Sequence, residues 1–100
     1  MLTSKQRAKL RAMAHDYDSM LHIGKDGVTK TVIQQAEEVL SNRELIKVTV
    51  QKTAPEAVKD ICYTLCDKTG SEAVQCIGRR FVIYRMAKEE DKRKIDLKKL

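Results

Sequence analysis

The sequence is poor in residues that mark several common classes of protein. It has no tryptophan, one phenylalanine, one proline and four glycines among 100 residues. So little proline and glycine argues against long disordered stretches before the C-terminus, since such segments are enriched in those residues. No apolar run approaches the roughly 18 residues that span a bilayer. The basic N-terminus has no hydrophobic stretch behind it. We therefore expect neither a membrane span nor a secretory signal.

The cysteines and histidines give no sign of a reactive site. Cys62, Cys66 and Cys76 form no CxxC pair and are odd in number, which fits neither a disulfide framework nor a zinc site. We expect buried structural thiols in a reducing cytoplasm. His22 is expected to pack or make a local hydrogen bond, and His15 to meet the last carbonyls of a helix. The sequence therefore predicts no metal, no cofactor and no enzymatic activity.

What the chain does have is positive charge. Twenty lysines and arginines stand against 14 acidic residues, for a formal net charge of +6. Such an excess favours a polyanionic partner through counterion release, although many ordinary soluble proteins carry it too. The first eleven residues hold four cations and no acid. Solvated helix faces usually mix charges of both signs, so this all-cationic stretch slightly favours an anionic partner over simple solvation.

Hydrophobic periodicity predicts seven elements in the order α-β-α-β-α-β-β. Helices that alternate with the first strands imply right-handed crossovers and some parallel pairing, and the last two strands form an antiparallel hairpin. The fold class is therefore α/β, a single compact domain with a mixed four-stranded sheet and three helices. The predicted segments are a helix from Thr3 or Ser4 to about Ala14, a strand at Met20–Ile23, a helix from Val28 to about Leu40, a strand at Leu45–Val50, a helix through Val58 and Leu65 that stops at Gly70, and strands at Ala73–Ile77 and Arg80–Arg85.

Three local features sharpen this scheme. Thr53-Ala54-Pro55-Glu56 has the spacing of a capping box at the start of the third helix. Phe81 and Tyr84 are expected in the core, since the chain has only four aromatic residues. Beyond residues 1–85 the composition becomes strongly charged, so residues 86–100 are expected to be a frayed helix or a disordered tail.

One turn has features of an anion-binding site. Gly24-Lys25-Asp26-Gly27 joins a strand to a helix N-terminus, where backbone N–H groups lack partners and the helix dipole is positive. Glycines let a phosphate approach such a backbone closely. Lys25 adds a charge, and Lys30 follows one turn later. Asp26 either points away or caps the helix. On spacing alone, however, a GxxG is a weak signal, because glycine-bounded turns are common.

Several segments together resemble the CRM (chloroplast RNA splicing and ribosome maturation) domain, the bacterial YhbY-like family. The resemblance covers about residues 1 to 85 and lies in Leu2-Thr3-Ser4-Lys5-Gln6-Arg7, Leu10-Arg11, Ala14-His15, Ile23-Gly24-Lys25-Asp26-Gly27-Val28-Thr29, Glu44-Leu45-Ile46-Lys47-Val48, Ile77-Gly78 and Phe81-Val82-Ile83-Tyr84-Arg85. It implies a fold similar to the C-terminal domain of translation initiation factor 3. It also implies RNA binding through a loop like the GxxG loop of KH domains, which clamps a few backbone nucleotides.

By that resemblance, Gly24, Lys25, Asp26 and Gly27 carry over as the RNA-contacting loop. Lys5, Arg7 and Arg11 on the first helix are added by charge. Arg79 and Arg80 at the hairpin are either a second phosphate contact or a polar turn, and the sequence leaves both possibilities open.

We expect a monomeric, cytoplasmic protein that binds no membrane. Two hypotheses about its function remain. The first is an RNA-binding factor in assembly of the large ribosomal subunit, since stand-alone bacterial members of the family associate with precursors of that subunit. Its partner would be the ribosomal RNA of the precursor, held mainly by phosphate contacts. The alternative is a protein–protein adaptor whose basic first helix docks on an acidic partner. In that case the GxxG is only a turn.

Overall fold

Three helices, four strands and two short 3-10 helices follow one another in the computed structural model, which describes residues 1–100. The predicted order α-β-α-β-α-β-β is confirmed, and a mixed four-stranded sheet forms as expected. No helix is long and apolar enough to cross a membrane. In chain order the elements are α1 Ser4–Ala14, β1 Leu21–Ile23, α2 Lys30–Arg43, β2 Leu45–Val50, α3 Val58–Thr69, β3 Glu72–Ile77, β4 Arg80–Tyr84, and the 3-10 helices Glu90–Lys92 and Leu97–Lys99.

The sheet has the strand order β1-β2-β4-β3. β1 and β2 are parallel, while β4 is antiparallel to both β2 and β3. Three connections therefore meet at one end of the sheet, which we call the loop end. They are the GxxG loop at Gly24–Gly27 after β1, the segment Gln51–Ala57 after β2, and the hairpin turn at Gly78–Arg79.

Each face of the sheet has its own hydrophobic core, because side chains alternate between faces along a strand. On one face, Ile46, Val48 and Val50 of β2 pack with Phe81 and Ile83 under α2 and α3. On the other face, which we call the α1 face, α1 packs on the sheet, and eight buried residues form a second cluster. That cluster comprises Leu2, Leu10, Ala14, Leu45, Val74, Val82, Tyr84 and Ile95. The prediction that Phe81 and Tyr84 lie in the core is confirmed.

The start of α2 differs from the sequence prediction by two residues. Val28 lies outside the helix, and Thr29 is the N-cap, its hydroxyl accepting the N–H of Val32 at 3.2 Å. This short polar side chain supplies the acceptor that the first helical turn needs, so the helix begins after it.

The capping box predicted for α3 does not form. α3 begins at Val58 after Ala57, and no side chain caps it. The predicted box would have required Ala54 to be helical, but the ring of Pro55 disfavours the α conformation in the residue before it. Pro55 instead packs beside Gly27, with its Cγ 3.3 Å from where a Cβ on that glycine would lie.

The expectation of a frayed or disordered tail is wrong. Ala87 and Ile95 are only 2% and 8% exposed, and Leu97 and Leu100 pack against the α1-face core. The irregular backbone of this segment finds acceptors in the fully buried carboxylate of Glu44. Because that carboxylate meets backbone donors far along the chain, composition alone did not reveal it.

Two of the three cysteines are buried, as predicted. Cys62 and Cys66 face the core from α3, and their mutual hydrogen bond together with burial raises the pKa of the Cys62 thiol. Cys76 is exposed. It lies in register with Phe81 near the end of β3, an edge strand of the sheet.

Candidate nucleic-acid interface

The GxxG loop is a closed turn at the end of β1. The N–H of Gly27 donates to the carbonyl of Gly24 at 3.0 Å, which makes residues 24 to 27 a β-turn. The N–H of Thr29 then donates to the carbonyl of Gly27 at 3.2 Å and leads the chain into α2. The parallel pairing of β1 with β2 anchors the turn, because the N–H of Gln51 donates to the carbonyl of Ile23 at 2.8 Å.

The two glycines have different roles. Gly27 is buried, has φ of +67° and lies against Pro55, so any side chain there would be both strained and crowded. Gly24 has no such φ, and a Cβ there would meet only the flexible end of Gln51, at 3.4 Å. The fold therefore requires Gly27, whereas it does not require the absence of a side chain at Gly24.

The loop leaves a series of backbone donors free. The N–H groups of Lys25, Asp26, Val28, Lys30 and Thr31 make no hydrogen bond within the protein. They lie in and just after the turn, at the positive end of the dipole of α2. Unpartnered N–H groups at a helix N-terminus are suited to an anion.

The structure resolves the position of Asp26, which the sequence left open. Its side chain is exposed and makes no hydrogen bond, and the N-cap of α2 is Thr29. Asp26 therefore does not cap the helix.

Cations surround the loop without acidic partners. Lys25 and Lys30 are exposed, and neither takes part in an ion pair. Lys52 belongs to the same group, since it follows Gln51, whose side chain lies beside Gly24. Sequence reasoning missed Lys52 because only the pairing of β2 with β1 brings it near the loop. Two acids are nearby, since Asp26 belongs to the loop and the Glu56 carboxylate lies 3.9 Å from where a Cβ on Gly27 would lie.

The hairpin arginines have different surroundings. Arg79 donates from Nε to the carbonyl of Val50 at 2.9 Å and from a terminal nitrogen to the carbonyl of Gln51. It therefore holds the end of β2, a structural role. Arg80 is exposed, and its side chain makes no hydrogen bond or ion pair.

The cations predicted on α1 are not brought to the loop. The chain just before α1 meets the opposite end of β3, where the N–H of Leu2 donates to Glu72. Arg7 is half-buried, and its Nε donates to the carbonyl of Ala73 at 3.3 Å. Lys5 and Arg11 are exposed on the same helix. The set predicted by charge therefore splits into a loop-end group and an α1 group at the β3 edge.

Comparison with known proteins identifies the family to which this architecture belongs. The CRS1 / YhbY (CRM) domain matches residues 2–85. The chain belongs to this family. The GxxG loop, β2 and the β3–β4 hairpin all lie within the matched range of the CRM domain.

Individual relatives agree with that assignment. The Bacillus subtilis protein named "Probable RNA-binding protein YqeI" is 40% identical over 89 residues, which are 89% of this chain and 93% of that protein. A Haemophilus influenzae protein named "RNA-binding protein" is 33% identical over 88 residues, 88% of this chain and 89% of that one. The solution structure of SAV1595 from Staphylococcus aureus is similar with a TM-score of 0.78 at 43% identity, covering 96% of this chain and all of that one.

The histidines of this CRM domain do not occupy the structural roles predicted for them. The His22 ring is exposed on β1 and makes no hydrogen bond, and the His15 ring is exposed at the C-cap of α1. His22 is exposed because α1 covers only part of the α1 face of the sheet. His22 points to that face in register with Thr49, beyond the part that α1 covers.

Proposed function

We propose that this CRM domain binds RNA by placing a backbone phosphate on its GxxG loop. The single observation that carries the proposal is the set of five unpartnered N–H groups in the loop and at the start of α2, those of Lys25, Asp26, Val28, Lys30 and Thr31. Two relatives named as RNA-binding proteins support RNA as the polyanion. The family membership of residues 2–85 supports the same assignment.

The proposed mechanism is a grip on shape and charge. Phosphate oxygens accept hydrogen bonds from the loop N–H groups, while Lys25, Lys30 and Lys52 neutralise charge and release counterions. The loop offers only two polar side chains, those of Lys25 and Asp26, so we expect little base specificity from it. Neither metal nor cofactor enters this mechanism, and we propose no catalytic step.

We further propose that the RNA is ribosomal RNA of a large-subunit precursor and that the domain acts as a monomer in the cytoplasm. The resemblance to bacterial YhbY-like proteins supports the first part. Three free cysteines suit a reducing compartment.

Binding of the full chain to a transcribed fragment of large-subunit ribosomal RNA, followed by fluorescence anisotropy, tests the loop. Lys25→Glu reverses a charge beside the free N–H groups, so we expect affinity to fall about tenfold or more at moderate salt. Lys68→Glu is the matched control, because Lys68 is exposed near the C-terminal end of α3, at the end of the sheet opposite the loop end. Equal affinities for Lys25→Glu and the parent would overturn the loop assignment.

Sedimentation of cell extract tests the ribosomal role separately. We expect the protein to comigrate with free large subunits or their precursors at low salt. A position only at the top of the gradient would contradict that role and favour the adaptor alternative.

A further inference from the structure

Part of the α1 face of the sheet is left uncovered. α1 and the C-terminal segment cover Leu45, Val82 and Tyr84, but no helix covers the strand ends nearest the GxxG loop, where Ser19 before β1 makes a hydrogen bond with the Thr49 hydroxyl. We call this uncovered area the open sheet surface. It consists of His22, Lys47, Thr49, Gln75, Ile77 and Arg80.

Strand register arranges these residues in rows. Ile77, Arg80, Thr49 and His22 lie opposite one another across all four strands. Neighbouring strands are about 4.8 Å apart, so this row is roughly 14 Å wide. Lys47 and Gln75 lie one step further from the loop end, on either side of Val82. The row is therefore a flat surface, and His22 at its β1 edge comes two residues before Gly24 in the chain.

Two shallow cavities meet on this surface. One of about 370 Å³ is lined by His22, Thr49, Lys47 and Arg80 and by Tyr17, Asp18 and Ser19 of the segment before β1. The other, of about 310 Å³, is lined by Lys47, Gln75, Ile77 and Arg80, with His15 beside it. Lys47 and Arg80 line both cavities, so the two form one groove that crosses the sheet.

The charges in the groove are available to a ligand. Neither Lys47 nor Arg80 takes part in an ion pair. The Lys47 ammonium donates one hydrogen bond, at 3.1 Å, to the carbonyl of His15 at the C-terminal end of α1. That contact offsets the negative end of the helix dipole and leaves further donors free. Asp18 is the only acid that lines either cavity.

We propose that the open sheet surface holds a single strand of RNA that continues from the GxxG loop. This inference rests on the proposed function, since it extends the same RNA across the sheet. Charge complementarity favours RNA, because the groove has two unpaired cations against one acid. Because the groove is continuous with the GxxG loop, an RNA strand held by the loop can extend along the groove. An exposed histidine such as His22 also offers a ring on which an unstacked base can lie.

The double variant Lys47→Gln/Arg80→Gln tests the groove with the same ribosomal RNA fragment and full chain. Two lost phosphate contacts should lower affinity about tenfold and reduce the slope of log K against log salt by about 1.4. Lys59→Gln/Lys68→Gln is the matched control, since it removes the same charge from exposed positions on α3. We expect the control to reduce the slope by less than about a third of that amount.

A variant that gains affinity excludes misfolding as the cause of the weaker RNA binding expected of the double variant. Ile77 is 65% exposed at the end of the row, so Ile77→Lys adds a cation to the groove. We expect tighter binding by about threefold. Tyr63→Lys adds the same charge on α3 at a position that is 52% exposed, and we expect no comparable gain from it.

The outcomes separate this inference from the proposed function. If Lys25→Glu weakens binding while the groove variants match their controls, the groove inference is overturned and the loop stands. If the groove variants change affinity and Lys25→Glu does not, the groove stands and the loop assignment fails. A parent protein that does not bind RNA overturns both.

Discussion

The carboxylate of Glu44 accepts the backbone N–H of Ala87 at 2.8 Å in the interior of the protein. Its other oxygen accepts the N–H groups of Lys94 and Ile95, at 2.6 and 3.0 Å. Glu44 itself has φ of +65° at the junction of α2 and β2. One buried side chain thus supplies three hydrogen bonds to the C-terminal segment. That segment in turn covers part of the α1 face.

Glu44→Gln should loosen the C-terminal segment. The amide keeps one acceptor oxygen but places an NH₂ group against backbone donors, so we expect the free energy of unfolding to fall by about 2 kcal/mol. Urea unfolding measures the loss, and amide hydrogen exchange shows whether residues 87–95 open first. Glu38→Gln on the exposed side of α2 is the control. A variant as stable as that control, with unchanged exchange, would contradict the role given to Glu44.

Tyr84→Phe should stabilise the protein, and more so at high pH. The Tyr84 hydroxyl is buried without a hydrogen-bond partner. Removing it should raise the free energy of unfolding by about 1 kcal/mol near neutral pH. Burial, reinforced by the Glu44 carboxylate and opposed by Arg93, raises the pKa of Tyr84 from 10.0 to about 12.

The sign of the pH effect follows from that shift. Between pH 10 and 12 the unfolded chain loses the Tyr84 proton while the folded chain keeps it, so the parent loses stability as the pH rises through this window. Tyr84→Phe lacks this contribution. Urea unfolding at pH 7 and pH 11 should show a larger advantage for Tyr84→Phe at the higher pH. An advantage that shrinks with pH would refute the assignment.

The two glycines of the GxxG loop should separate folding from binding. Gly27→Ala forces an alanine into φ of +67° against Pro55, so we expect a loss of about 1–3 kcal/mol in the free energy of unfolding. Gly24→Ala meets only a flexible glutamine end, so its thermal unfolding should match that of the parent. Its added methyl group should nevertheless weaken RNA binding. If Gly24→Ala bound RNA as well as the parent, close approach of phosphate to this residue would be disproved.

Local signals in the sequence predicted the elements well. α1 begins after Thr3, one of the two residues expected at its start, whose hydroxyl accepts the backbone N–H of Gln6 at 3.1 Å, and the alternation of Ile46, Val48 and Val50 does mark the buried side of β2. These features depend on residues close in sequence. The position of the GxxG turn could be predicted for the same reason.

Features that depend on distant contacts could not be predicted. β4 ends at Tyr84, one residue before the predicted end, and the guanidinium of Arg85 binds the Glu37 carboxylate at 2.6 Å and the Thr69 carbonyl at 2.9 Å. The order of the C-terminal segment depends on Glu44, and the position of Lys52 depends on the pairing of β2 with β1. Helix packing places Lys5 and Arg7 away from the loop end, a position that the charge of α1 could not reveal.

The central claim is that phosphate meets the free N–H groups of the GxxG loop, and NMR titration tests it most directly. Backbone amide shifts of the ¹⁵N-labelled full chain would be followed as the large-subunit RNA fragment is added. We predict the largest shifts at Lys25, Asp26, Val28, Lys30 and Thr31, with α3 residues such as Lys68 unchanged. Largest shifts on α3 or the first turns of α1, with the loop amides unmoved, would contradict the account.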